Sequence, residues 1–147
     1  MKKIILTGLL GVFAFGASNA QSILDLPKNA QSVLNEHYKD WKVERVNIDR
    51  DKDDRDEMYE VRYENGTKID FNDKGEITEI KGNKEIPAEL LPMSIKDYVN
   101  KKFPEQKVTE WEWDDNEHEV ELSDGTELEF DENGKFLEEN KFLGIDW

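Results

Sequence analysis

The stretch YEVRYENGTKIDFNDKGEI, residues 59–77, returns as HEVELSDGTELEFDENGKF, residues 118–136. Aligned without a gap, the two share Glu60/Glu119, Val61/Val120, Gly66/Gly125, Thr67/Thr126, Phe71/Phe130 and Gly75/Gly134. Pairs such as Ile69/Leu128 and Asp70/Glu129 keep their character. Self-similarity over this length marks one supersecondary unit used twice. Within it, Tyr59, Val61 and Tyr63 alternate with Glu60, Arg62 and Glu64, as in a strand with one buried face. Asn65-Gly66 and Asp124-Gly125 read as two-residue hairpin turns. Thr67, Ile69 and Phe71, with Thr126, Leu128 and Phe130, give the inward face of the next strand. A second turn at 72–75 and 131–134 leads to fourth strands near 76–81 and 135–139.

Outward from this stretch, each copy is preceded by a helical pattern. Ala30, Val33, Leu34, His37, Tyr38 and Trp41 recur at three- and four-residue spacing, as do Ile95, Tyr98, Val99 and Phe103. Pro27 and Pro92 suit the first turn, where a missing N–H costs nothing, and Pro104 ends the second helix. Strand-like segments at 42–48 and 107–113 follow. The expectation is an α+β fold: tandem α-β4 repeats forming one antiparallel sheet of about eight strands, two helices on one face. Residues 21–82 form the first repeat, and 83–147 the second with a C-terminal tail. Trp111 and Trp113, the counterparts of Val46 and Ile48, read as core, with a binding anchor as the rival reading. The copies differ in the loop after the first strand, DRDKDDRDEM against DDNE, which makes 49–58 a charged surface loop.

Lys2 and Lys3, an apolar run over 4–17 and then Ser18-Asn19-Ala20 predict a signal peptide, residues 1–20, cut after Ala20. No cysteine is present for a lipid anchor or a disulfide. An exported chain, periplasmic or secreted, with no membrane insertion after cleavage, is the expectation. Loss of Lys2 and Lys3 takes the net charge from −15 to −17. Such a chain repels nucleic acid and anionic lipid and attracts cations or basic protein surfaces.

The order of Leu-Pro, helix, Lys-Val strand, hairpin, Asn-Gly-Thr or Asp-Gly-Thr turn, then a turn from Phe71 to Gly75 or Phe130 to Gly134, occurs twice after a signal peptide. It resembles the PepSY-like, beta-lactamase-inhibitor-like proteins exported by Bacteroidetes. That resemblance implies a tandem α-β4 arrangement whose uncovered sheet face can clasp another protein. It carries over no catalytic residue.

The outward positions define the candidate site. Glu60, Arg62, Glu64, Lys68 and Asp70 are mixed in charge, whereas Glu112, Glu119, Glu121, Glu127 and Glu129 are all acidic. Like charges on neighbouring strands weaken a sheet by roughly 0.2–1 kcal/mol for a close pair. Their concentration therefore points to a basic partner, still unidentified, or to cations. The alternative is a solvated face that serves solubility. Partner-binding residues on this reading are Glu112, Glu119, Glu121, Glu127 and Glu129, with Arg62. No cofactor is expected apart from calcium, for which Asp49, Asp51, Asp53 and Glu60 have the spacing of a calcium loop. Position six of that loop is Asp54 rather than glycine, and strand patterns flank it. An enzyme is not expected: no cysteine exists, His37 and His118 stand on core-facing stripes, and no serine has a catalytic motif around it. Phe142, Leu143, Ile145 and Trp147 make an apolar tail that closes the core or docks elsewhere.

Overall fold

A computed structural model describes residues 21–49 and 58–141. The predicted signal segment, residues 50–57 of the predicted charged loop and the apolar segment 142–147 lie outside the described residues. Each half has the same order of elements. A 3-10 turn (Ile23–Asp25) precedes α1 (Lys28–His37), β1 (Val43–Ile48), β2 (Tyr59–Tyr63), β3 (Lys68–Phe71) and β4 (Ile77–Lys81). A second 3-10 turn (Ala88–Leu90) precedes α2 (Met93–Lys102), β5 (Val108–Asp114), β6 (Glu117–Leu122), β7 (Thr126–Asp131) and β8 (Phe136–Lys141). The strands form one antiparallel eight-stranded sheet in the order β1 to β8, so the halves join where β4 pairs with β5. The 3-10 turns had no signature in the apolar spacing. Pro27 and Pro92 take the N-cap position, one residue ahead of the first helical turn.

The core lies between the helices and one face of the sheet. Ala30, Leu34, Ile95 and Val99 pack with Val61, Ile69, Phe71, Val120, Leu128 and Phe130. Aromatic rings fill both ends: Trp41 stands edge-on to Tyr63 at 5.5 Å, and Tyr98 stacks on Phe136 at 4.8 Å. Trp111 is 6 % exposed and belongs to this core, with Trp113 packed at its margin. The Trp111 indole N–H donates to Nδ1 of His118 at 3.2 Å, which keeps the buried imidazole as an acceptor. Burial lowers the His118 pKa against the pull of nearby acceptors, so the ring is neutral.

The turns depart from expectation in an instructive way. At Asn65-Gly66 the Tyr63 N–H bonds the Thr67 carbonyl, and only Gly66 has positive φ (88°). This is a three-residue loop ending in a glycine bulge, not a two-residue turn. The cause is visible in the side chain: Asn65 Oδ1 accepts from the Thr67 N–H at 3.0 Å, and Asp124 Oδ1 does the same for Thr126. The two-residue turn is instead Asp115-Asn116, where both residues have positive φ (48° and 64°). Bulges recur in register as well. The pairing slips between Val43 and Arg45 and between Val108 and Glu110, and again at Asp70/Phe71 and Glu129/Phe130. Each slip resets which side chains face the helices.

Candidate functional site: the open face of the sheet

Among the described residues, no element covers the face away from the helices. Its central side chains fall into two rows that run across the strands. One row is Arg45, Arg62, Lys68 and Lys81 in the first half, continued by Glu110, Glu121, Glu127 and Asn140 in the second. It is basic to the midline and acidic beyond it. The other row is Asn47, Glu60, Asp70, Glu79, Glu112, Glu119, Glu129 and Glu138, a carboxylate on every strand after the first. At about 4.8 Å between strands, this acidic row is on the order of 30 Å long.

The first half compensates its acids. Glu60 receives Nε of Arg62 at 2.9 Å, Nη2 of Arg62 at 2.8 Å and Nδ2 of Asn47 at 2.9 Å. Burial opposes its charge, yet Arg62 holds the Glu60 carboxyl below the ordinary range. Lys68 bonds Oδ2 of Asp70 at 2.7 Å and also contacts Glu79. Asp70 stands on the outward face as expected, yet it is only 4 % exposed, and Glu79 only 7 %. Burial raises the Asp70 pKa, Lys68 opposes that rise and the neighbouring Glu79 adds to it.

The second half leaves most of its acids uncompensated, Glu110 being the exception. Glu112 stands opposite both Glu79 and Glu119, and Glu119 opposite Glu129. Burial raises the pKa of Glu112, and Glu79, Glu119, Asp114 and Glu110 raise it further. Burial and then neighbouring carboxylates likewise raise Glu119 and Glu121, and Lys81 opposes the rise in each. Lys81 is engaged with Glu110 at 2.5 Å. Where the basic and acidic blocks meet, Arg62, Lys68, Lys81, Glu110 and Glu121 line a hollow of about 570 Å³.

The structure thus brings Glu112, Glu119, Glu121, Glu127, Glu129 and Arg62 onto one face. It adds Glu79, Glu110, Glu138 and Lys81, which sequence reading had not placed there. Simple alternation from Trp111 already puts Glu110 outward. Glu79 and Glu138 were hidden by the bulges in β4 and β8, because counting from Ile77 or Phe136 without a bulge points them inward. Of the calcium-loop set, Asp51 and Asp53 lie outside the described residues, Asp49 follows the end of β1, and the Glu60 carboxylate is already held by Arg62.

This geometry can be set beside known proteins. Residues 57–138 match the family described as "Putative beta-lactamase-inhibitor-like, PepSY-like". The chain belongs to that PepSY-like family. Among solved structures, it is 30% identical to a "putative calcium-regulated periplasmic protein" from Bacteroides thetaiotaomicron, covering 83% of this chain and 95% of that one, with a TM-score of 0.74. A periplasmic protein from Bacteroides vulgatus is also 30% identical, over 86% of this chain and all of its own (100%), with a TM-score of 0.75. A second B. vulgatus periplasmic protein, described as of unknown function, is 27% identical over 82% of this chain and 96% of its own, with a TM-score of 0.68. Comparison with curated proteins finds no match. No helix among the described residues is long and apolar enough to cross a membrane.

Proposed function

We propose that this PepSY-like chain is a non-enzymatic binding module of the periplasm, exported by its N-terminal signal, that inhibits or modulates another envelope or secreted protein. The docking surface is the acidic half of the open face, Glu112, Glu119, Glu121, Glu127 and Glu129, with Arg62 at the compensated end. The observation that carries this reading is the pairing of carboxylates directly opposite one another on β5, β6 and β7. Such pairs cost stability in the free protein, and a basic partner surface removes that cost on docking. The inhibitor-like description of the family and the periplasmic descriptions of its structural relatives point the same way.

The test is a pull-down from the periplasmic and secreted fractions with the mature chain as bait, at low and moderate salt. A basic protein should be retained at low salt, lost at moderate salt, and lost when Glu119, Glu121 and Glu129 are all replaced by lysine. A partner whose affinity ignores that reversal would remove the acidic face as the docking surface. A second reading, calcium binding, is favoured by the description of the B. thetaiotaomicron relative as calcium-regulated. On that reading Asp49, Asp51 and Asp53 would have to recruit Glu60 away from Arg62.

A further inference from the structure

We propose that the open face carries a calcium site at the junction of the two halves, formed by Glu79 of β4 with Glu110 and Glu112 of β5, and backed by Asp70. One carboxylate oxygen from each of the three glutamates lies within 4.8 Å of the others. Calcium holds oxygens at about 2.3–2.6 Å, so ligands on opposite sides of the ion stand roughly 5 Å apart. Magnesium, with oxygens at about 2.0–2.1 Å, needs a tighter set. The donors are all carboxylate oxygens, the choice of a hard cation.

A second observation stands apart from the cluster itself. Asp70 is opposite Glu79 on β3 and is 4 % exposed. Its Oδ2 is bound by Lys68, but Oδ1 is buried and has no hydrogen-bond donor. A buried carboxylate oxygen without a donor is costly, and a cation drawn in beside Glu79 relieves it. The positive groups facing these four acids are Lys68, on Asp70 and Glu79, and Lys81, on Glu110, with Arg62 acting on Asp70 from farther off. Glu112 has no cationic partner among the described residues. Lys81 is 57% exposed in its side chain, so it can swing into solvent and yield Glu110 to the ion.

This site is separable from protein docking, because reversal of Glu119, Glu121 and Glu129 leaves all its ligands in place. Calcium chloride is titrated into the mature chain by calorimetry, and melting is followed in chelator and in calcium. One site with Kd of about 0.1–1 mM is expected, the range of extracellular calcium modules. Glu112→Gln should weaken it roughly tenfold through the lost ligand charge, while melting higher than the parent in chelator because a repulsion has gone. Lys81→Met should tighten binding by removing the competing ammonium. Asp51→Asn with Asp53→Asn should leave it unchanged. Absence of heat and of any melting shift up to about 10 mM calcium would overturn the proposal. So would binding that ignores both Glu112→Gln and Lys81→Met, or binding lost with the Asp51/Asp53 variant, which would move the ion to the loop.

Discussion

Lys68 ties Asp70 on its own strand to Glu79 on the next, and both carboxylates are more than nine-tenths buried. Burial works against the Lys68 charge, but the hydrogen bonds to Asp70 and Glu79 raise its pKa and keep it protonated. Removing one partner of a buried ion pair leaves the other charge without compensation. Lys68→Met should therefore cost about 3 kcal/mol in urea unfolding, the lower end of the range for such pairs since the lysine is itself partly exposed. Adding Asp70→Asn and Glu79→Gln to that variant should recover most of the loss. A full loss that persists in the triple variant would assign the role of Lys68 to packing of its aliphatic stem.

Among elements, the two kinds of glycine turn make contrasting demands. Gly66 and Gly75 both have positive φ (88° and 77°), which an L side chain adopts at a cost of roughly 1–2 kcal/mol. A Cβ at Gly66 would meet nothing within 4 Å, whereas at Gly75 it would stand 2.7 Å from Cβ of Pro27. Gly75 thus sets how closely the start of α1 approaches the β3–β4 turn, and Gly134 does the same for α2, against Ser94. Gly66→Ala should lose only the backbone cost. Gly75→Ala should lose more, because the helix must lift from the sheet. Equal melting temperatures for the two variants would remove this account of helix seating.

For the molecule as a whole, the balance of its acids sets a pH dependence. Asp70, Glu112, Glu119 and Glu121 have raised pKa values, while Glu60 is lowered. A raised carboxyl binds its proton more tightly in the folded state, so its contribution is present below the unfolded pKa and lost as pH climbs through the folded one. Glu60, and His118 with its pKa lowered by burial, work in the opposite sense but are outnumbered. Melting temperature should then rise as pH falls from about 8 to about 5. The Glu119, Glu121 and Glu129 reversal should flatten this trend. A parent protein that melts lower at the acid end would mean that the buried carboxyls are compensated more fully than the geometry indicates.

Two levels of information separate cleanly in this chain. The helices, the strands, their antiparallel order and the inward residues were legible locally, since period-2 and helical spacing with glycine turns are properties of a few consecutive residues. Most of the acidic site residues were legible for the same reason: Glu112, Glu119, Glu121, Glu127 and Glu129 alternate with apolar neighbours. Local spacing could not show that Asn65 and Asp124 would use their side chains to make a three-residue turn, nor that bulges would turn Glu79 and Glu138 outward. It was also silent on which acids are compensated. Charge compensation depends on what lies across the strand, about 4.8 Å away in space and distant in sequence. Only register places Lys68 between Asp70 and Glu79, and leaves Glu112 facing Glu79 and Glu119 with no lysine of its own.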